Sequence, residues 1–461
     1  MHKTLYKTGF IAYAILLIMA TWFYKERTVF MDAAYHLFHI LMSNDFTIQH
    51  NRFGAVVTQV FPVLGSKLGL SLKSILLLYS TGTMFYYFLC YFICGTVLKQ
   101  YGYALAILLF SILFATETFY WPYSELQQGC TMLLVMFAVL NTRMHAAIKY
   151  GVMLALTITL AFIHPLIIFP ASFLFIYLLL SGQSNISNRA LLICFAVFIT
   201  TYLIKTVFFK PPYEANATAG INKTILSLIP DYFNLYSVKK FVNDCFGKFI
   251  WIPVFIVATL VYYIVKRKWA LLSLYAAFVF GLISIINIAY HYEGVPSFYI
   301  ENLYLPVSIF LAMPVVFEMT GDLHRKNIAI AVLVIITITG SLRIYNQRAF
   351  FKSRVDWLRG YCIEHAGKKL IVHQSHVPMG TLIFSWGSSY EFWLLSTLEQ
   401  NKTESIIISD NIDALIPPPG KTTSFITAFG GYPYGMFPTK YFKLTDTVSE
   451  YMVIPAQQKG H

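Results

Sequence analysis

From Lys25 to Ser71 the chain reads KERTVFMDAAYHLFHILMSNDFTIQHNRFGAVVTQVFPVLGSKLGLS, a polar stretch between two long hydrophobic segments. Only 12% of the residues are charged, so a run that holds acids, histidines and an arginine is unusual in this chain. Those residues are Glu26, Asp32, His36, His39, Asp45, His50 and Arg52. A helix beginning near Asp32 would place its polar residues on one face and its apolar residues on the other. The pattern predicts an amphipathic helix in the membrane interface, with Phe53–Leu64 as a second one.

Composition predicts a polytopic α-helical membrane protein, because 57% of the 461 residues are hydrophobic and 17% are aromatic. A helix needs roughly 20 mostly apolar residues to cross a bilayer. Eleven segments are candidates for spanning helices, although the pair that meets at His164-Pro165 could also form one kinked span. The segments are centred on 9–24, 72–97, 103–119, 125–141, 147–163, 166–181, 190–208, 249–265, 269–289, 301–319 and 328–344.

The distribution of basic residues in the short loops predicts the orientation. Loops rich in Lys and Arg face the cytoplasm, and here they alternate with loops that contain neither residue. We therefore expect an integral protein of a bacterial inner membrane, with a cytoplasmic N-terminus and with loops 25–71 and 209–248 outside. The net charge of +13 indicates basic cytoplasmic loops and contact with membrane lipid or phosphate-bearing substrates rather than with nucleic acid.

Two domains are expected. Residues 1–345 form the transmembrane domain, and residues 346–461 have the composition of a small extracytoplasmic α/β domain. In the second domain, strands are predicted at 369–373, 381–386, 405–409 and 424–429, with a helix near 389–399. Cys245 and Cys362 are the candidates for a disulfide, and the sequence does not decide whether they pair.

Several short pieces resemble the GT-C glycosyltransferases. They are Phe30-Met31-Asp32-Ala33-Ala34-Tyr35 after the first span, a second external helix containing Pro62, and Leu303-Tyr304-Leu305-Pro306 in a late span. The resemblance covers roughly residues 1–345. Glu301-Asn302 departs from it, because the family often carries an arginine there. The resemblance implies an inverting transferase that moves a sugar from a polyprenyl-phosphate donor to an extracytoplasmic lipid, glycan or protein acceptor. It also leaves a divalent cation, Mg²⁺ or Mn²⁺, possible.

Asp32 is the candidate catalytic residue. The resemblance implies that its carboxylate deprotonates or orients the acceptor, which requires it to lie within hydrogen-bond distance of the acceptor. The alternative interpretation is an N-cap, because Asp before an apolar periodic run often begins a helix. His36 and His39 share its predicted face, so they are candidates for acceptor binding, and the three side chains together could hold a metal ion.

Donor phosphate requires cations at the outer membrane face. Arg52, His164, His291 and Arg343 are the candidates, although the histidines could be structural and Arg343 could extend to the interface. Glu293 lies in the aromatic sequence Tyr290-His291-Tyr292-Glu293-Gly294, which fits either a sugar site or an interfacial aromatic belt. Two rival functions are a lipid-linked polysaccharide polymerase and a transporter or flippase.

Overall fold

The computed structural model describes residues 1–209, 211–212, 227–322, 326–416 and 423–456. Ten α-helices are described in residues 1–209. They are α1 (His2–Trp22), α2 (Tyr24–Thr28), α3 (Met31–Ser43), α4 (Val56–Lys67), α5 (Leu72–Phe92), α6 (Tyr101–Leu113), α7 (Glu125–Leu140), α8 (Ala146–Ala161), α9 (Ile168–Ser181) and α10 (Asn188–Phe208).

The second half of the membrane domain contains five further helices in its described residues. They are α11 (Tyr236–Gly247), α12 (Trp251–Val265), α13 (Trp269–Ala289), α14 (Ser297–Pro314) and α15 (Lys326–Glu364). Two of the longer helices continue through a π turn, α5 to Val97 and α14 to Asp322. Helix α15 has 39 residues and continues through the predicted boundary at 345/346 into the C-terminal region.

The number of spanning helices is smaller than predicted. Among the described residues, six helices are long and apolar enough to cross a bilayer, namely α1, α5, α10, α13, α14 and α15. A seventh span results if α11 and α12, which are bent by 92°, are counted as one. The remaining four predicted spans are the shorter helices α6 to α9. The 13 residues of α6 extend only about 20 Å at 1.5 Å per residue, whereas the hydrocarbon core is about 30 Å thick.

The short helix α6 lies inside the protein rather than against lipid. Nearly all of its side chains are buried, and so are those of α14, which packs beside it. A helix that is apolar on all sides is typical of such a central position. Hydropathy alone cannot distinguish this kind of helix from a lipid-facing span, which is one reason why the count of eleven was too high.

Helix α3 does not lie on the membrane with its apolar face in lipid, as the sequence predicted. Its apolar residues Leu37, Ile40 and Leu41 are buried. Phe38 is also buried and contacts the rings of Trp393, Phe425 and Phe442. Both faces of α3 are therefore covered by protein, because the C-terminal domain packs on the face that a membrane would otherwise cover.

The C-terminal domain contains two small sheets. Strands β1 (Lys369–His373), β2 (Ser405–Ser409) and β5 (Met452–Ile454) form a parallel sheet in the order β2-β1-β5. Strands β3 (Ser424–Thr427) and β4 (Gly430–Pro433) form an antiparallel hairpin. The sheet lies beside α17 (Ser388–Gln400), and this helix is close to its predicted position.

The predicted strand at 381–386 is wrong, since α16 (Met379–Leu382) and a loop occupy that region. Within the described residues, Cys245 and Cys362 are both free.

Candidate active site

Asp32 lies in the first turn of α3, and its Oδ2 atom accepts a hydrogen bond of 3.0 Å from Nε1 of Trp121. The N-cap position belongs to Phe30, so the capping interpretation of Asp32 is wrong. At the start of the helix, the backbone N–H of Met31 instead donates a 2.7 Å hydrogen bond to Oε1 of Glu391 in α17. The carboxylate of Asp32 is therefore not needed to begin the helix.

The environment of Asp32 favours its protonated form. Burial and the negative charge of Glu125 together raise the pKa of the carboxyl group to about 7. The hydrogen bond from Trp121 and the positive charge of Arg52 act in the opposite direction. A carboxylate with a pKa near neutrality is well suited to accept a proton in a reaction at that pH.

Arg52 and Glu125 form an ion pair beside Asp32, with 3.2 Å between Nη1 and Oε2. Both side chains are largely buried, and only 14% and 15% of their surfaces are exposed. Ser124 caps the N-terminus of α7 by accepting a hydrogen bond from the backbone N–H of Gln127, which places Glu125 in the first turn of that helix. A negative charge is favourable there because of the helix dipole.

His164 joins Arg52 on the side of the site formed by α8 and α10. Its Nδ1 atom accepts a 3.2 Å hydrogen bond from the backbone N–H of Leu166, at the start of a short 3₁₀ turn. Burial lowers the pKa of His164 to about 3, and the positive charges of Arg52 and Lys205 contribute. The imidazole is therefore neutral and lies close to two cations. Lys205 was not predicted as a site residue, yet its side chain is buried and its positive charge acts on His164.

His36 is buried on the other side of Asp32. Its ring stacks on Tyr123 with 3.7 Å between centroids and 19° between planes. Burial and the neighbouring His39 hold the pKa of His36 well below its usual value. Within the described ranges, Nδ1 of His36 has no hydrogen-bond partner. A neutral imidazole in this position can exchange hydrogen bonds with a substrate but does not supply a positive charge.

The carboxylate of Glu301 fixes the loop that carries Trp121. It accepts hydrogen bonds from the backbone N–H groups of Thr116 and Thr118, at 2.7 and 2.9 Å, and from the Thr118 hydroxyl at 2.6 Å. Its neighbour Asn302 accepts a hydrogen bond from Ser124. The position where the resemblance led us to expect an arginine therefore binds protein groups. Trp121 was missed as a site residue, because nothing in the local sequence connects it to Asp32.

The other predicted site residues have different surroundings. Arg343 donates hydrogen bonds to the backbone carbonyls of Ile112 and Leu113 at the end of α6, at 2.5 and 3.0 Å, and to that of Lys248 at 2.7 Å. His291 contacts the carbonyl of Ile288 at 3.0 Å, and Glu293 is exposed. No contact found among the described residues joins these three side chains to Asp32.

The described part of the chain holds no group of three or more His, Cys, Asp or Glu side chains arranged to bind a metal ion, so Asp32, His36 and His39 do not come together in that way. Comparison of the chain with protein-family models, with curated proteins and with solved structures finds no match.

Proposed function

We propose that this integral membrane protein is a glycosyltransferase that transfers a sugar from a polyprenyl-phosphate donor to an extracytoplasmic acceptor, with inversion. The observation that carries the proposal is the location of Asp32. A carboxylate with a pKa near 7 lies next to the Arg52–Glu125 ion pair, with His164 and Lys205 close to Arg52. One site thus contains a proton acceptor and a group of cations.

In the proposed reaction, the Asp32 carboxylate takes the proton from an acceptor hydroxyl as the hydroxyl oxygen attacks the anomeric carbon. The bond between that carbon and the phosphate oxygen breaks, and its electron pair leaves with polyprenyl phosphate. A single displacement of this kind inverts the anomeric configuration. The proton remains on Asp32 until it passes to water, which restores the carboxylate.

The cations would bind the leaving phosphate. Arg52 can make two parallel hydrogen bonds to phosphate oxygens, and Lys205 adds a second positive charge. His164 is neutral, so it would contribute a hydrogen bond at its Nε2 atom. The negative charge of Glu125 would repel anions from the cation group. This repulsion would reduce the binding of other anions at Arg52.

The test is transfer by the full-length protein reconstituted into liposomes with a panel of radiolabelled polyprenyl-phosphate sugars and a membrane extract as the acceptor. Asp32→Asn should abolish transfer, because the amide cannot accept the proton. Asp45→Asn is the matched control, since Asp45 is an exposed acid in the same external segment and transfer should continue. Unchanged transfer in Asp32→Asn would disprove the proposal. Movement of the lipid donor across the bilayer without any transfer would support a flippase instead.

A further inference from the structure

Three aromatic rings from three separate segments meet one helical turn from Asp32. Tyr35 belongs to α3, Trp386 to the loop after α16, and Phe429 to the tip of the β3–β4 hairpin. The ring centroids are 6.3 Å apart for Tyr35 and Trp386, 5.6 Å for Tyr35 and Phe429, and 5.7 Å for Trp386 and Phe429. The planes cross at 72°, 82° and 55°, so the rings meet edge to face or tilted instead of stacking on one another. We refer to these three residues as the aromatic cup.

The cup is partly exposed to solvent, unlike the aromatic core beside it. Phe429 is 63% exposed, whereas Phe38 and its partners Trp393 and Phe425 are completely buried. The buried rings already hold α3 against the C-terminal domain. The exposed phenyl group is therefore not required for that packing and is available to a ligand.

The backbone near the cup has unusual conformations in two segments. Ile383 has φ +73° and ψ −61°, and the Phe384 N–H bonds to the carbonyl of Leu382 at 3.0 Å, which forms a γ-turn three residues before Trp386. In the second segment, at the start of α3, Met31 has φ +35°. Positive φ is strained in both residues, and such strain persists where surrounding structure imposes it. The close approach at Gly387 illustrates this, because a Cβ atom there would lie 3.3 Å from Cα of Met31.

A hydrogen-bonding group lies next to the cup. The His39 ring is 4.5 Å from that of Tyr35, and its Nε2 atom is buried without a hydrogen-bond partner among the residues that the structure describes. Burial lowers the pKa of His39 to about 4, so the ring is neutral at pH 7. A ligand hydroxyl that reaches this atom would give it a hydrogen-bond partner. Carbohydrates combine apolar C–H faces with hydroxyl groups, and both features have partners here.

We propose that the aromatic cup binds a sugar ring of the acceptor, so that the acceptor of this transferase is a carbohydrate. The inference rests on the proposed function and specifies its substrate class. Tyr35 follows Asp32 by three residues, so both side chains lie on one helix face about 5–6 Å apart at Cβ. A sugar stacked in the cup places a hydroxyl of its own or of its neighbour toward the Asp32 carboxylate.

The test uses the full-length protein in nanodiscs and needs no donor. Saturation-transfer NMR would be recorded with a broad set of soluble neutral oligosaccharides of α- and β-linked hexoses and pentoses. We expect at least one to receive saturation at its C–H protons. We expect Trp386→Leu and Phe429→Ala each to weaken its affinity by at least tenfold. Phe233→Ala is the matched control, because Phe233 is an 82% exposed phenylalanine elsewhere in the chain, and affinity should not change.

The inference is overturned if the whole set fails to bind, or if binding does not depend on Trp386 and Phe429. It is also overturned if the cup inserts into the bilayer. In that case brominated lipids would quench the fluorescence of Trp386. That fluorescence is measured as the difference in emission between the wild-type protein and Trp386→Phe. If transfer depends on Asp32 but Phe429→Ala leaves the KM for the acceptor unchanged, then sugar binding by the cup is disproved and the proposed transferase is not. Cup-dependent glycan binding without any transfer would disprove the proposed transferase alone.

Discussion

Arg354 and Glu391 form an ion pair that is almost wholly buried, with 1% and 0% of their side chains exposed. The pair joins α15 to α17 directly behind the start of α3. Nη1 of Arg354 donates a 2.9 Å hydrogen bond to the carbonyl of Val29, and Glu391 accepts one from the N–H of Met31. The C-terminal domain therefore holds the backbone on both sides of Phe30, immediately before Asp32.

Glu391→Gln should destabilise the protein strongly. The substitution leaves the Arg354 guanidinium buried without its counter-charge, which typically costs about 3–5 kcal/mol. The measurement is the apparent melting temperature in detergent. Glu399→Gln is the matched control on the same helix, since Glu399 pairs with Lys25 and Arg359 at the partly exposed edge, where such pairs contribute about 0–1 kcal/mol. Equal decreases of the melting temperature in the two variants would show that the buried ion pair contributes no more to stability than the partly exposed ones.

The rate of transfer should depend on the ionisation of Asp32. Burial raises the pKa of this group to about 7, and only the deprotonated form can take the acceptor's proton. The rate should therefore fall about tenfold per pH unit below pH 6 and level off above pH 8. Trp121→Phe removes a hydrogen bond that lowers the pKa, so the midpoint of the profile should move to higher pH. A midpoint that stays in place or moves to lower pH would contradict this account.

Asp32→Asn should increase stability at alkaline pH. The folded-state pKa of Asp32 lies above the value for an unfolded chain, so its stabilising contribution is complete at low pH and is lost as the pH rises through about 7. The amide carries no charge at any pH. The variant should therefore melt at a higher temperature than the wild type at pH 8, and the difference should shrink at pH 5. A difference that is independent of pH would indicate that Asp32 is not the titrating group.

The sequence predicted the features that depend on local pattern. Helix α3, strands β1 and β2 and helix α17 lie close to their predicted positions, since periodicity and flanking residues determine such elements. The sequence did not reveal contacts between residues that are distant in the chain. The hydrogen bond from Trp121 to Asp32 joins residues 89 positions apart, and that from Met31 to Glu391 joins residues 360 apart. The number of spans was overestimated partly because a buried apolar helix such as α6 has the same composition as a lipid-facing one.

Glu301→Gln should reduce the transfer rate without weakening donor binding. The carboxylate holds the turn at Thr116–Thr118 through several hydrogen bonds, and bonds to a charged group contribute about 1.5–3 kcal/mol each. Loosening this turn should let Trp121 move away from Asp32, whereas no contact found in the described ranges links Glu301 to the cation group around Arg52. The kcat should therefore fall while the KM for the donor stays unchanged. Ser308→Ala is the control, because it removes a hydroxyl of the same helix that is buried without a hydrogen-bond partner among the described residues. An increase in donor KM in Glu301→Gln would mean that this residue acts on the phosphate side of the site.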